Sequence, residues 1–166
     1  MVQARIDREK LSFIKLKPSY SVEKFSCGDA DLDDFILHRA AAFQKHLLSV
    51  SYACVDAMSP GKVLAYCSLA NDKVSITDFK DKTEFNRFRK KRGFPNEKRM
   101  KSYPAVKLCR LGVASDAKGQ KLGSTLLNII KSMFVIENKT GCRFLTVDAY
   151  LDAVPFYEKN GFRFMN

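Results

Sequence analysis

The chain has 166 residues, 46% of them hydrophobic and 28% charged, and a formal net charge of +11. This is the composition of a soluble globular domain long enough to bury one core, and it excludes a fibrous, low-complexity or disordered chain. No apolar run approaches the roughly 20 residues a membrane helix needs, and residues 1–10 lack the apolar block of a signal peptide. The sequence therefore predicts one domain over residues 1–166, cytoplasmic and off the membrane.

Residues 12–17 alternate as a short strand stopped by Pro18. Residues 29 to about 45 read as a helix. Asp29, Asp31, Asp33 and Asp34 crowd its first turns, where the helix dipole favours them, and Leu32, Phe35, Ile36, Arg39, Ala40 and Phe43 recur at helical spacing. Residues 50–57 and 62–76 are predicted strands, joined by the hairpin turn Met58-Ser59-Pro60-Gly61. A basic insert at about 80–104 follows, helical around 81–92 and broken at Gly93 and Pro95. Then come a strand over 105–114, a helix over about 120–137, a strand over 143–149 and a helix over about 152–160, with Asp152 as N-cap and Gly161 as the stop. Antiparallel strands first and a strand–helix–strand crossover second predict an α/β fold with a mixed, mostly antiparallel sheet flanked by helices. In it 105–114 and 143–149 lie side by side and parallel, across a right-handed crossover.

Cys27, Cys54, Cys67, Cys109 and Cys142 are odd in number and contain no Cys-x-x-Cys pair. Most sit in or beside apolar runs, the setting of reduced thiols packed as small hydrophobes. His38 and His46 lie eight positions apart on one predicted helix, too far to hold a metal together, so no metal site is expected.

The charge is concentrated. Between residues 80 and 107, eleven basic side chains against three acidic ones leave +8 of the chain's +11. A run of cations is commonly just a solvated face. Here Phe85, Phe88, Phe94 and Tyr103 are interleaved with them, so the stretch can dock on the domain while Arg89, Lys90, Lys91 and Arg92 face a polyanion.

The most informative segment is 105–124. An apolar run ends in the turn Ser115-Asp116-Ala117, and the loop Lys118-Gly119-Gln120-Lys121 feeds directly into the helical pattern Leu122-Gly123-Ser124-Thr125-Leu126-Leu127. Strand, loop, helix in that order aims unpaired backbone N–H groups and the positive end of a helix dipole at one spot, which suits phosphate. Lys118 and Lys121 add mobile charge. Alone, the pattern serves equally as an ordinary strand–helix connection.

Three motifs sharpen it. The loop resembles Arg/Gln-x-x-Gly-x-Gly/Ala, the acyl-CoA loop of the GNAT N-acetyltransferases, with Lys118 in the first place and Gly123 in the last. Phe156-Tyr157-Glu158-Lys159-Asn160-Gly161-Phe162 resembles that superfamily's FYxxxGF helix. Phe25-Ser26-Cys27-Gly28-Asp29-Ala30-Asp31-Leu32-Asp33-Asp34-Phe35 is similar to the FxCGxxxLDxFL opening of the GNAT branch that includes the acetyltransferase toxins of toxin–antitoxin pairs. The resemblance covers roughly residues 12–164 and departs at two points. Lys121 stands where the loop usually has its first glycine, and the sequence stops at Asn166, where GNAT domains continue into a final strand. That strand is then absent, truncated or supplied by a second copy of the chain, because an unpaired edge invites association.

The resemblance implies acetyl transfer from acetyl-CoA to an amine, with the cofactor entering between the splayed strands 105–114 and 143–149. Lys118, Gly119, Gln120, Lys121, Leu122, Gly123 and Ser124 would hold its phosphates. The backbone of Leu111, Gly112 and Val113 would hold the pantetheine arm and polarise the thioester carbonyl. Tyr157 would protonate the leaving thiolate, a phenol with a pKa near 10 being able to donate to it; its spacing with Ala153 and Phe156 equally suits helix packing. Asp148 and Glu158 are candidate bases, and neither is assigned. Cys109 and Cys142 have no histidine nearby in sequence to activate them, which favours direct transfer over a covalent intermediate.

As acceptor, the basic insert and toxin-like opening rank aminoacyl-tRNA above a protein or small-molecule amine, and imply a partner antitoxin. The alternative outside catalysis is an acyl-CoA- or RNA-binding module on the same fold.

Overall fold

The structure, a computed structural model, describes residues 8–94, 100–136 and 138–165. The alternating strand at the start of the chain forms as β1 (Leu11–Lys15), antiparallel to β2 (Val50–Asp56), with Phe13 facing Cys54 and Lys15 facing Tyr52. β2 in turn pairs antiparallel with β3 (Ser59–Ser75), through a register that slips at Cys54–Asp56 beside the hairpin turn. In sheet order the strands follow the chain, β1-β2-β3-β4-β5, where β4 is Ser102–Val113 and β5 is Phe144–Val147. β4 and β5 are the parallel pair. The chain divides into two compact units, Met1–Ala70 with Leu108–Glu137, and Asn71–Lys107 with Asn138–Asn166, and β3 and β4 each run from one unit into the other.

In the first unit, the acidic helix begins where its sequence says it should. The Asp29 carboxylate accepts the N–H groups of Asp31 at 3.0 Å and Leu32 at 3.1 Å, capping α1 (Ala30–Asp34). The helix then widens into a π turn, Phe35–Arg39, before resuming as α2 (Ala40–Lys45). Phe35, Ile36 and Ala40 are buried as their spacing predicts, whereas Arg39 turns outward and pairs with Asp31 and Asp34, each at 2.7 Å. The core under the sheet is closed by α4 (Leu122–Val135), whose Leu126, Leu127 and Ile130 have no exposed surface. Between β2 and β3, the Ser51 and Ser68 hydroxyls satisfy one another at 2.8 Å in full burial.

The thiols divide. Cys27, Cys54 and Cys67 are buried, and desolvation pushes Cys27 up to about 11 and Cys67 up to about 12, so they stay protonated and inert. Cys109 is exposed on β4 rather than packed. Among the described residues, no group of histidine, cysteine and carboxylate side chains is placed to hold a metal, and no helix is long and apolar enough to cross a membrane.

The second unit is built around the basic insert. Asp81 caps α3 (Lys82–Lys91) by accepting the Glu84 N–H at 2.8 Å, and Arg92 and Gly93 end it; the break expected at Pro95 lies outside the described residues. Phe85 is 2% exposed and Tyr103 8%, in a core with Val74, Phe79 and Ala105. Phe88, Phe94 and Phe144 pack against that core, with Phe94 only 4.4 Å from Tyr103, centroid to centroid. β4 consequently starts three residues earlier than expected, because Tyr103 is an inward-facing strand residue and not part of the insert. The hydroxyl of Thr146 on β5 donates to Asp72 on β3 and lies 3.4 Å from the Val106 carbonyl of β4. The last helix differs from expectation at its start. A 3-10 turn, Leu151–Ala153, takes up Asp152, and α5 (Val154–Lys159) has Ala153 at its N-cap position, where no side chain caps it. Pro155 in the first turn supplies the start instead, needing no donor there.

Truncating Phe85 to alanine should cost about 3–5 kcal/mol of unfolding free energy, the usual result of emptying a buried aromatic site. Urea denaturation followed by far-UV dichroism measures it; a loss under about 1 kcal/mol would mean that α3 is not held by this core.

Candidate active site

β4 carries the candidate carbonyl-polarising backbone, and its shape there is set by packing. A Cβ on Gly112 would lie 2.9 Å from Cε1 of Tyr66 and 3.2 Å from Cζ of Phe25, so only glycine lets those two rings close against the strand. Tyr66 is fully buried and donates its hydroxyl to the Leu32 carbonyl at 2.7 Å. Leu111 and Val113, on either side of Gly112, are half-buried. From the same strand, the Arg110 guanidinium lies 3.8 Å from the Phe35 ring centroid, a close cation–π contact.

After β4 the chain makes a 3-10 turn, Ser115–Ala117, and opens into the loop. Gly119 takes φ +76° with open space where a side chain would lie, and Lys121 takes φ 60°, ψ 18°. The left-handed Lys121 makes α4 begin at Leu122, two residues later than its periodicity suggests. It also explains why a glycine usually stands here: a residue with a Cβ is strained in this region by about 1–2 kcal/mol. No side chain caps α4, and its first intrahelical bond is Thr125 N–H to the Lys121 carbonyl at 3.0 Å. The N–H groups ahead of Thr125 thus have no carbonyl one turn back, and with the helix dipole behind them they fit an anionic group. Gly123, in the first turn of α4, is buried. Gln120, Lys121 and Ser124 are at least partly accessible. Lys118 is placed differently from expectation: its ammonium donates to the Cys27 carbonyl at 2.6 Å.

In the second unit, Tyr157 sits on α5 with Phe156 and Phe162 edge-on at 5.2 and 5.3 Å. Burial raises its phenol above the ordinary value, because the phenolate would lose its water. Packing and proton donation are compatible here. The rings hold the side chain in place, and the raised pKa keeps its proton on. Asp148 forms an ion pair with Lys107 and is exposed, which leaves its carboxylate committed to a cation. Cys142 donates to the Phe144 carbonyl at 3.3 Å and its thiol is raised by burial, the opposite of a nucleophile's setting.

The four cations at the end of α3 are not alike. Arg92 lies 3.8 Å over Phe88 and 5.6 Å from the Phe144 ring, and burial with Arg143 and Arg163 nearby lowers its pKa. Arg89 stacks less closely, 5.7 Å over Phe85. Lys90 and Lys91 are exposed.

Lys121→Gly should leave the folded state as stable as wild type or up to about 1 kcal/mol more stable, by relieving the left-handed strain less the entropy glycine costs. Lys121→Val should lose about 1–2 kcal/mol or more, since a β-branched residue fits that region worst. Thermal denaturation of the pair checks it. Equal melting temperatures would show that the loop relaxes out of this conformation at no cost.

No curated protein matches the sequence significantly. Residues 96–166 match the family model of the acetyltransferase (GNAT) domain. Among solved structures, a tyrosine-to-phenylalanine mutant of KacT is 21% identical, over 92% of this chain and 86% of that one, with a TM-score of 0.73. AtaTR bound with AcCoA is 22% identical, over 93% and 86%, with a TM-score of 0.72. AtaT complexed with acetyl-methionyl-tRNAfMet is 23% identical, over 92% and 86%, with a TM-score of 0.71. At that identity the likeness is one of fold, and it runs along nearly the whole chain. What this chain shares with acetyltransferases of GNAT type is therefore the match in residues 96–166 and the fold along nearly its whole length.

Proposed function

We propose that the protein moves the acetyl group of acetyl-CoA directly onto the primary amine of an aminoacyl-tRNA. The observation that carries the acceptor is the basic helix α3, held by an aromatic core while Lys90 and Lys91 stay in solvent. A basic face with exposed charge and anchored rings is the footprint of a polyanion, far beyond what the few phosphates of acetyl-CoA use. The likeness in fold to AtaT, solved with an acetylated initiator tRNA, points to the same class of acceptor. The same reading gives the protein an antitoxin partner, as AtaT has been solved with the C-terminus of the antitoxin AtaR and acetyl-CoA.

In this reading acetyl-CoA, when bound, supplies an acetyl group already activated as a thioester. The chain's own residues bind and orient. The N–H groups at the start of α4, with Gly119 and Gln120, hold the phosphates; the backbone at Leu111, Gly112 and Val113 orients the arm and faces the carbonyl oxygen. Tyr157 holds a proton at Oη for the departing thiolate. The α-amine of an aminoacyl ester is less basic than a lysine side chain, so a good fraction is uncharged near neutral pH and no dedicated base is required.

Transfer from labelled acetyl-CoA to three pools, charged tRNA, polyamines and peptides, tests the acceptor; label entering polyamines or peptides but not tRNA overturns it. Tyr157→Phe should lower kcat by about 10²-fold or more with little change in acetyl-CoA affinity, because the lost proton matters in the transition state. A phenol raised above its usual pKa stays protonated up to at least about pH 10, so wild-type kcat/KM should show no alkaline decline below that. An alkaline limb near pH 8 would assign proton donation to another group.

Replacing Arg89, Lys90, Lys91 and Arg92 together by neutral residues should weaken tRNA binding and flatten its salt dependence. The scale is a slope of about −0.9 per duplex phosphate contact. Acetyl-CoA affinity should be unchanged. Because Arg92 and Arg89 also stack on the core rings, Lys90→Gln with Lys91→Gln isolates the charge from the packing. Salt-independent tRNA binding by the wild type would return the insert to a solvated face.

A further inference from the structure

The FxCG opening and the loop after β4 are about 90 residues apart in sequence, yet the structure joins them at two consecutive carbonyls. Ser115 N–H donates to the Ser26 carbonyl at 2.8 Å, and Lys118 Nζ donates to the Cys27 carbonyl at 2.6 Å. The turn that offers these carbonyls is itself fixed from its other side. Cys27 N–H donates to the Asp33 carboxylate at 2.8 Å, and Asp29 caps α1. Between them Gly28 stands at φ +88°, a conformation that a residue with a Cβ rarely adopts. One more tie lies alongside: Lys62 on β3 pairs with Asp116 at 2.8 Å, within the turn that leads into the loop.

From this geometry we propose that Lys118 is a positioning residue. Its ammonium straps the phosphate-binding loop to the Cys27–Gly28 turn, and it is this turn that sets the loop's shape. The proposal rests on the reading of 118–124 as the acyl-CoA loop but assigns Lys118 a different part in it. A charge-assisted hydrogen bond to a carbonyl in a partly buried place is among the stronger single ties a surface loop can have. It also orders the segment from which the left-handed Gly119 and Lys121 depart, so the N–H groups ahead of α4 are presented in one arrangement before any ligand arrives. What the position needs is then an N–H donor on a flexible stem, whose charge strengthens the bond to the carbonyl and is not spent on a phosphate.

Two neutral replacements separate these requirements. Lys118→Gln keeps a donor and loses the charge; Lys118→Met keeps the stem and loses both. In the ligand-free protein, amide hydrogen exchange at residues 26–29 and 119–123 should rise about tenfold in the methionine variant and much less in the glutamine variant, the size expected for losing one charge-assisted bond. Titration calorimetry with acetyl-CoA should give a Kd weakened about tenfold for methionine and within about threefold of wild type for glutamine, with the ionic-strength dependence unchanged in both. Gly28→Ala should reproduce the methionine exchange pattern with Lys118 intact, while Gly28→Asn, which tolerates the left-handed region, should stay near wild type.

If glutamine and methionine weaken acetyl-CoA alike, the salt dependence flattens and exchange is unmoved, Lys118 is a phosphate ligand and the proposal fails. If the wild type does not bind acetyl-CoA, the reading of the loop fails, and the exchange measured without ligand still decides the strap. If Gly28→Ala does not fold, the two Lys118 variants carry the test.

Discussion

The buried phenol of Tyr66 is the interaction on which the first unit depends. It sits in the middle of β3 with no exposed surface, and its hydroxyl donates to the Leu32 carbonyl. A buried hydroxyl without a partner costs about 1–3 kcal/mol, so this bond fixes where α1 must end relative to the sheet. Around the same ring lie Phe25, edge-on at 5.3 Å, and Phe35, stacked at 6.4 Å. The strand below has to be glycine at position 112 to admit the rings of Tyr66 and Phe25. One ring therefore ties together the opening motif, the helix that follows it and the strand segment around Gly112. The motif residues Phe25, Leu32 and Phe35 belong together because each touches Tyr66, which lies outside the motif.

The second unit solves a different problem. Eight net positive charges in one stretch repel one another, and a helix as polar as α3 has little propensity of its own to stay folded when so short. Burying Phe85 and packing Phe88 beside it supplies the stability that the helix lacks. The arginine planes on the same rings hold part of the charge flat against the surface, and the lysines keep theirs in water. The charge density and the fold are thus supported by the same side chains. A substitution that removes a ring here disturbs both.

The order and kind of the elements were legible from periodicity alone, and so was the strand–loop–helix with its exposed N–H groups. What escaped was of three kinds. Boundaries differ where a residue's sequence neighbours and its spatial partners point different ways. Tyr103 looked like part of the insert but is a strand residue facing the core, and Asp152 looked like a cap but is taken up by a 3-10 turn. The conformation of Lys121 was half-visible, since a lysine at a position favouring glycine is a departure any reader can see, but only the backbone shows that it takes the left-handed angles regardless. The ties from Lys118 and Ser115 to the opening turn were invisible, because no local pattern records a contact across about 90 residues. A lysine just ahead of a helix N-terminus reads as an anion ligand until its partner is seen.

The π turn at Phe35–Arg39 has a consequence for how the first helix can change over time. Each residue of an α-helix advances the azimuth by about 100°, and a π turn accommodates one residue more than the α pitch would. Upstream of it, the azimuth is dictated by the opening turn and the Leu32 carbonyl; downstream, by Ala40 and by Phe43, which meets Phe35 edge-on at 5.2 Å. The extra residue absorbs the mismatch between these two demands. Deleting it would rotate everything from Ala40 onward by about a quarter-turn and swing Phe43 off Phe35, whereas an exchange of side chains leaves the phase untouched. This stretch of the helix therefore keeps its phase through an exchange of side chains and loses it with any change in length.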